Sequence, residues 1–273
     1  MFSSLRGLLV DVHGVLYESG TLFPIAGSVE ALQNLRSSGI PFRLVSNESQ
    51  CSTQKFLEKL HRIGFGDIQL NDIFLPAPAA IAHIKEQNLK PYIVCHPDLE
   101  PEFTEFRELP DEDRNCVLIG DAANHFTFQR MNKAFNLLMK AKQPHILSLG
   151  YGRFYKHGNQ LNLDVGPFVE ALKFAVGPDR LQTSLFGKPS PDYFNAATND
   201  MKLENSTVAM IGDDVNSDIG GAKRCGLQGL LVRTGKYTQG DEIGKEFGPD
   251  LVVDNFANAV DLVLKEYNGG NRK

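Results

Sequence analysis

Four short polar clusters, far apart in the chain, each follow an apolar run or precede a helix start. The first is Asp11-Val12-His13-Gly14, directly after Leu8-Leu9-Val10. A carboxylate at the carboxyl end of a buried strand is where open α/β sheets place ligand chemistry, and the glycine lets the backbone turn sharply. The second is Ser46-Asn47, a hydroxyl and an amide directly after Phe42-Arg43-Leu44-Val45. The third is Lys188 in Gly187-Lys188-Pro189-Ser190-Pro191, where Ser190 reads as an N-cap and Pro191 as a first helical residue. The fourth, Gly212-Asp213-Asp214-Val215-Asn216-Ser217-Asp218, sets three carboxylates behind the apolar run Val208–Ile211. Such carboxylates repel one another unless solvated or gathered on a hard cation with oxygen ligands.

Each cluster alone has an ordinary structural reading, as a turn, a helix cap, a surface lysine or a solvated acidic loop. Together they supply a carboxylate nucleophile, a divalent-cation site, a lysine and small hydrogen-bond donors. Those are the parts needed to attack and hold a phosphoryl group.

The elements that must position them alternate. Leu8–Val10 reads as a strand, Val29, Leu32 and Leu35 as a helical stripe ending at Gly39, and Pro41–Val45 as a second strand. Phe56, Leu60 and Ile63 form another helical stripe, with Gly64 beyond it. This spacing predicts βαβ units on a parallel sheet. From about residue 78 the pattern restarts, with a helix marked by Ile81 and Ile84 and strands at Tyr92–Cys95, Cys116–Ile119 and Ile146–Leu149. Phe135, Leu138 and Met139 mark one helix of this stretch, and Phe168, Leu172 and Ala175 another. The acidic segment His96–Arg114 reads as an exposed helix or loop, and Gly150–Lys156 as a Gly-rich, aromatic and basic tract. After Lys188 the first pattern resumes, with strands at Val208–Ile211, Gly229–Val232 and Leu251–Val253 and a short helix over Asp218–Cys225. The layout is an α/β protein with a Rossmann-like parallel-sheet core, residues 1–77 and 186–273, interrupted by an inserted α/β domain, residues 78–185.

Composition narrows the class. A 273-residue chain, 42% hydrophobic, can bury a full core and is large enough to split into two. A formal net charge of -5 argues against a general nucleic-acid binder, and no apolar run reaches the roughly 18 residues of a membrane span. Met1–Arg6 leaves no room for a signal peptide before the first strand. The four scattered cysteines, Cys51, Cys95, Cys116 and Cys225, read as free thiols. The expected compartment is therefore the cytoplasm, with the nucleus also open.

Asp11-x-His13-Gly14-Val15, Ser46-Asn47, Lys188 and Gly212-Asp213-Asp214-x3-Asp218 resemble, in order, the four motifs of the haloacid dehalogenase superfamily. The insertion is similar to the large α/β cap of its sugar-phosphatase and pyridoxal-phosphatase branch. Within that branch the likeness extends through Gly14-Val15-Leu16-Tyr17, Ser46–Gln50, Ser148–Tyr155, Leu163–Pro167 and Val232–Lys236, nearly the whole chain. The resemblance implies an aspartyl-phosphate on Asp11 and Mg²⁺ held by Asp11, the backbone carbonyl of His13 and Asp213. Asp214 and Asp218 would act through water or by orienting their neighbours. Asp11, His13, Ser46, Asn47 and Lys188 would surround the phosphate. The cap would close over the site and choose the substrate, with Gly150–Lys156 as a candidate contact, and two copies would pair through it. No partner of nucleic acid or membrane is implied.

Position 13 departs from that pattern, because most phosphatases of the superfamily carry a second Asp there for proton transfer. His13 could do that acid–base work itself, could point away and leave a slow enzyme, or could mark a protein that binds phosphate without turnover. Losing a general acid costs about 10²–10⁴ in rate. The cost is greatest for an alkoxide leaving group. It is smaller for pyrophosphate, whose leaving phosphate is a weak base, and for phosphoramidates, whose nitrogen can arrive protonated. The expected substrates are therefore inorganic pyrophosphate and phosphohistidine or phospholysine, free or in a protein. Alternatives are a small-molecule phosphomonoesterase acting on a sugar or pyridoxal phosphate, and a non-catalytic regulator that binds phosphate or phosphoproteins.

Overall fold

The computed structural model describes residues 5–18, 20–157, 160–244 and 246–270; Met1–Ser4, on which the reading of the amino terminus rests, lie outside them. The first stretch runs β1 (Gly7–Val10), α1 (Ser28–Ser37), β2 (Phe42–Val45), α2 (Thr53–Ile63) and β3 (Ile73–Phe74). The middle runs α3 (Pro76–Glu86), β4 (Pro91–Val94), β5 (Cys116–Ile119), α4 (Phe128–Lys140), β6 (His145–Ser148), β7 (Phe154–His157), β8 (Gln160–Leu163), α5 (Val165–Val176) and β9 (Gln182–Leu185). The last holds α6 (Pro191–Asp200), β10 (Val208–Gly212), α7 (Gly221–Arg224), β11 (Gln228–Val232), β12 (Leu251–Val253) and α8 (Phe256–Gly270). They divide into two compact units, Met1–Ser46 with Leu57–Phe74 and Lys188–Lys273, and Asn47–Phe56 with Leu75–Gly187.

The first unit is built on a six-stranded parallel sheet in the order β12-β11-β10-β1-β2-β3. Its central strands are short and apolar because both faces are covered. Leu9, Val45 and Met210 pack with Tyr193, Phe194 and Ala197 of α6. The sheet order reverses at β1, which lies between β10 and β2. The carboxyl ends around such a reversal form a natural ligand crevice.

The second unit has its own parallel sheet, β4-β5-β6-β9, and a separate antiparallel pair, β7-β8. Alternation along β5 decides what each face meets. Val117 and Ile119 pack with Ala134 and Leu138 of α4 and Val169 and Leu172 of α5. Cys116 and Leu118 face Ala80 and Ile84 of α3 with Phe103 and Phe106. The acidic His96–Arg114 segment is therefore not wholly exposed. It winds into 3-10 turns at Glu100–Phe106 and Asp111–Asp113, and it buries Leu99, Phe103 and Phe106 while none of its acids is fully buried.

Two other local expectations change, and the Gly150–Lys156 tract runs into β7, which begins at Phe154 and leaves that side chain exposed, as are Leu161 and Leu163 of β8. Gly152 is needed because a Cβ there would meet the Asp164 carboxylate that caps α5. Ser190 occupies the N-cap of α6 with extended backbone, but its side chain makes no capping bond. The expected helix over Asp218–Cys225 instead starts as a π-type turn, Val215–Gly220, followed by the single turn of α7. Cys95, Cys116 and Cys225 are free thiols, and burial pushes the Cys95 and Cys116 thiols up to about 12. Among the described residues no helix is long and apolar enough to cross a membrane.

Tyr193 of α6 ties the sheet edge to the site. Its buried hydroxyl donates to the Phe74 carbonyl at 2.6 Å and lies 3.1 Å from the Ser46 carbonyl. Tyr193→Phe removes the one hydroxyl proton that the Phe74 carbonyl accepts, and is expected to cost about 1–3 kcal/mol, read as a lower urea midpoint with unchanged slope.

Candidate functional site

The order β10-β1-β2 sets three strand ends side by side, and each carries one of the polar clusters. Asp11 leaves β1, Asp213 leaves β10 and Ser46 leaves β2. The Asp11 N–H donates to the Ile211 carbonyl at 2.8 Å, which continues the β1–β10 ladder by one residue and fixes where the carboxylate starts. Asp11, Ser46, Asp213, Asp218 and Lys188 are all buried.

Lys188 comes from 177 residues further along than Asp11 and lies just before α6. Its ammonium is 2.5 Å from Asp11 Oδ1, 2.8 Å from Asp218 Oδ1 and 3.2 Å from the Val45 carbonyl. These give its three protons three acceptors. Burial by itself lowers a lysine's pKa, but the Asp11 and Asp218 carboxylates outweigh it and hold Lys188 above the ordinary lysine range.

The acidic loop is shaped by its backbone. The Asp214 side chain accepts from the N–H groups of Asn216 and Ser217, both at 2.9 Å, and so starts the π-type turn. Burial raises the Asp214 pKa, but the Lys236 charge and the Ser217 and Asn216 N–H groups bring it below the usual value. The N–H groups of Asp218 and Ile219 both return to the Asp214 carbonyl, and this widened turn folds the Asp218 carboxylate back under the strand end. A Cβ on Gly212 would lie 2.4 Å from Asp218, so the loop closes only over a glycine.

Asp213 is held differently. Its Oδ2 accepts from the Lys236 N–H at 2.7 Å, whereas its buried Oδ1 has no hydrogen-bond partner among the described residues. Gly14 and Gly235 press on this carboxylate with φ of 81° and 61°, and a Cβ on either would lie about 2 Å from Oδ2 (2.1 and 1.9 Å). Burial, then the charges of Asp11 and Asp218, push the Asp213 carboxyl well above its ordinary range. Burial also leads for Asp218, with Asp11 and Asp214 adding to it against the pull of Lys188, and raises it to about 7.

Oxygens of Asp11, Asp213 and Asp218 lie within 4.8 Å of one another. Three carboxylates thus crowd around the Lys188 ammonium, and a divalent cation would offset the negative charge that Lys188 and Lys236 leave unbalanced. The partnerless Asp213 Oδ1 and the all-oxygen donor set fit a hard cation. Asp218 has both oxygens engaged, by Lys188 and by the Asp214 N–H at 3.1 Å, so Asp11 and Asp213 are the better placed pair to ligate.

His13 sits beside this cluster, half-buried. Its Nε2 is 2.6 Å from the Tyr17 hydroxyl and its Nδ1 3.3 Å from Ser46 Oγ. Tyr17 is fully buried, and Lys59 Nζ lies 5.0 Å from its ring centre. Asn47 belongs to the second unit, where its amide oxygen fills the space that a side chain on Gly187 would take, 2.7 Å from that Cβ position.

Tyr17, Thr234, Gly235 and Lys236 are site residues that the four-cluster reading did not single out. Thr234 Oγ1 donates to the Gly14 carbonyl at 2.5 Å, which couples the loop after β11 to the turn after β1. A signal was present in Thr234-Gly235-Lys236, another polar, glycine-bearing segment directly after a buried strand.

Comparison with known proteins places this geometry among relatives. The family model described as haloacid dehalogenase-like hydrolase matches residues 8–107, and the one described as HAD-hydrolase-like matches residues 185–259. The human phospholysine phosphohistidine inorganic pyrophosphate phosphatase is 44% identical over 265 residues, 96% of each chain. The fold is similar to that of 4-nitrophenylphosphatase from Thermotoga maritima, with a TM-score of 0.85 at 22% identity over 96% of this chain and 98% of that one. It is also similar to NagD from Escherichia coli, with a TM-score of 0.81 at 21% identity over 93% and 97%.

The raised carboxyls set a sign for the pH dependence of stability. An unfolded aspartate titrates near about 3.9. Between that value and about 7, the folded metal-free protein therefore holds more protons at Asp218 than the unfolded chain, and stability falls as pH rises through this window. Lys188 is charged in both states there and adds no slope. Thermal midpoints measured in chelator should drop from about pH 5 to pH 7, and excess divalent cation should flatten that drop. Equal slopes with and without cation would remove the cation from this site.

Proposed function

The chain belongs to the haloacid dehalogenase-like hydrolases, and we propose that it hydrolyses inorganic pyrophosphate and phosphoramidates such as phosphohistidine and phospholysine through an aspartyl-phosphate on Asp11. The observation that carries this reading is the buried cluster in which Lys188 bridges Asp11 and Asp218 while Asp213 Oδ1 is left without a partner. Mg²⁺ is the cation this reading assigns, held by Asp11, the His13 backbone carbonyl and Asp213, with Asp214 and Asp218 orienting the loop. When bound, it supplies positive charge against the phosphoryl oxygens.

The chain's own residues divide the rest. Lys188 donates to Asp11 Oδ1 and fixes it, which leaves the other carboxylate oxygen as the attacking atom. Ser46 Oγ and the Asn47 N–H hold phosphoryl oxygens, and the Lys188 charge offsets the phosphate. Asp11 attacks phosphorus, the leaving phosphate or amine departs, and water then cleaves the aspartyl-phosphate to release phosphate and restore Asp11.

The proton inventory supports this substrate class. Both nitrogens of His13 are turned toward protein hydroxyls, and no carboxylic acid stands at position 13. Substrates whose leaving group needs little proton help suit such a site best.

Asp11→Asn removes the nucleophile's charge at nearly constant volume, and should abolish phosphate release while circular dichroism stays unchanged. The assay compares pyrophosphate, a phosphoramidate and a simple sugar phosphate with Mg²⁺. Release from the first two, lost in Asp11→Asn, is the expected result. Release mainly from the sugar phosphate would keep the mechanism and replace the substrate, and turnover by Asp11→Asn would sink the nucleophile. Phosphate binding with no release from any substrate would make the protein a regulator.

A further inference from the structure

Tyr17, His13 and Ser46 form a hydrogen-bonded row whose direction a bound anion would set. The Tyr17 hydroxyl meets His13 Nε2 at 2.6 Å, and His13 Nδ1 meets Ser46 Oγ at 3.3 Å. The row is held rigidly. Tyr17 has no solvent exposure, the His13 and Tyr17 rings pack with centroids 5.0 Å apart, and the Gly14 N–H closes the turn between them on the Tyr17 carbonyl at 2.8 Å. Ser46 is pinned on its backbone by the Tyr193 hydroxyl.

A neutral imidazole has one N–H and one acceptor nitrogen, so the row can run in either of two directions. If Nδ1 accepts the Ser46 proton, the serine oxygen turns lone pairs toward the phosphate, and the contact is repulsive. If Nδ1–H donates to Ser46 Oγ, the serine proton points away from the ring and a phosphoryl oxygen can accept it. His13 Nε2 is then an acceptor, and the Tyr17 O–H supplies its proton. Ionised phosphoryl oxygens only accept, so an anion that presents one to Ser46 selects the second direction.

We propose that Tyr17 and His13 are positioning residues that act through Ser46, fixing the imidazole as its Nδ1–H tautomer so that the serine hydroxyl donates to the phosphoryl group. The proposal rests on the reading of Ser46 as a phosphate-holding side chain. The bonds run Tyr17 O–H to Nε2, Nδ1–H to Ser46 Oγ and Ser46 O–H to a phosphoryl oxygen, each donor polarising the next. No proton is transferred along the row. His13 then differs in kind from an acid at this position, since its N–H faces a protein oxygen rather than the leaving group. The row strengthens the hold on the phosphoryl group for every substrate, whatever its leaving group.

Tyr17→Phe tests this in the full chain, because it deletes the donor and keeps the ring on which His13 packs. The inhibition constant of inorganic phosphate with Mg²⁺ should rise about threefold to tenfold, the worth of one ordinary neutral hydrogen bond. The kcat/KM values for pyrophosphate, a phosphoramidate and an alkyl phosphate should fall by a common factor. In a Ser46→Ala background the same substitution should change neither. Nitrogen-15 spectra of the histidine-labelled, unaltered chain should show the Nδ1–H tautomer at His13 when phosphate is bound, and the Nε2–H tautomer should dominate in Tyr17→Phe. An Nε2–H tautomer in the phosphate-bound unaltered chain overturns the proposal even if the variant does not fold. So does a loss that is large for the alkyl phosphate and small for pyrophosphate, which would assign His13 to proton transfer. Phosphate binding and tautomer are read without turnover, so their failure is distinct from failure of the Asp11 mechanism, which Asp11→Asn reports.

Discussion

Everything at this site depends on burying three carboxylates around one ammonium. Removing charged groups from water is costly, and the attraction of a single pair seldom returns the whole cost. Lys188 offsets the part belonging to Asp11 and Asp218 by lying within 2.5 and 2.8 Å of them. The Lys236 charge offsets only part of the cost belonging to Asp213, whose Oδ1 has no hydrogen bond among the described residues. A fold selected for stability alone would have no reason to keep that arrangement. A bound cation, as proposed for this site, would complete it.

Holding such a cluster demands that backbone come closer than side chains allow. Gly14 and Gly235 approach the Asp213 carboxylate from two different loops, and Gly212 approaches that of Asp218. The first two have positive φ, which other residues adopt only with strain. The π-type turn at Val215–Gly220 belongs to the same economy, since one extra residue in the turn brings Asp218 back beneath the strand it follows. Such bulges occur often where a helix must re-aim a functional side chain.

The second unit obeys plainer rules. Its sheet is covered on both faces, by α4 and α5 on one side and by α3 with the Phe103 and Phe106 turns on the other. There the structure shows why composition misleads. Glu100, Glu102 and Glu105 make the segment look solvated, yet Phe103 and Phe106, three apart, bring one face into the core.

From the sequence alone came the α/β class, the strands that carry Asp11, Ser46 and Asp213, and the family likeness. These were legible because buried parallel strands are continuous apolar runs, and because each polar cluster follows its run directly in the chain. Short or polar elements were not legible. β3 has two residues, and Gln182-Thr183-Ser184-Leu185 of β9 has no apolar run to mark it. Within the site, sequence order could not show that Tyr17 would reach His13, that Gly235 would press on Asp213, or that Asp218 would share Lys188 with Asp11. Local pattern determines which segments become strands, because hydrophobic periodicity is a property of neighbouring residues. Which charges end up paired, and which oxygen is left without a partner, is decided only when strands distant in sequence pack side by side and water leaves the space between their ends.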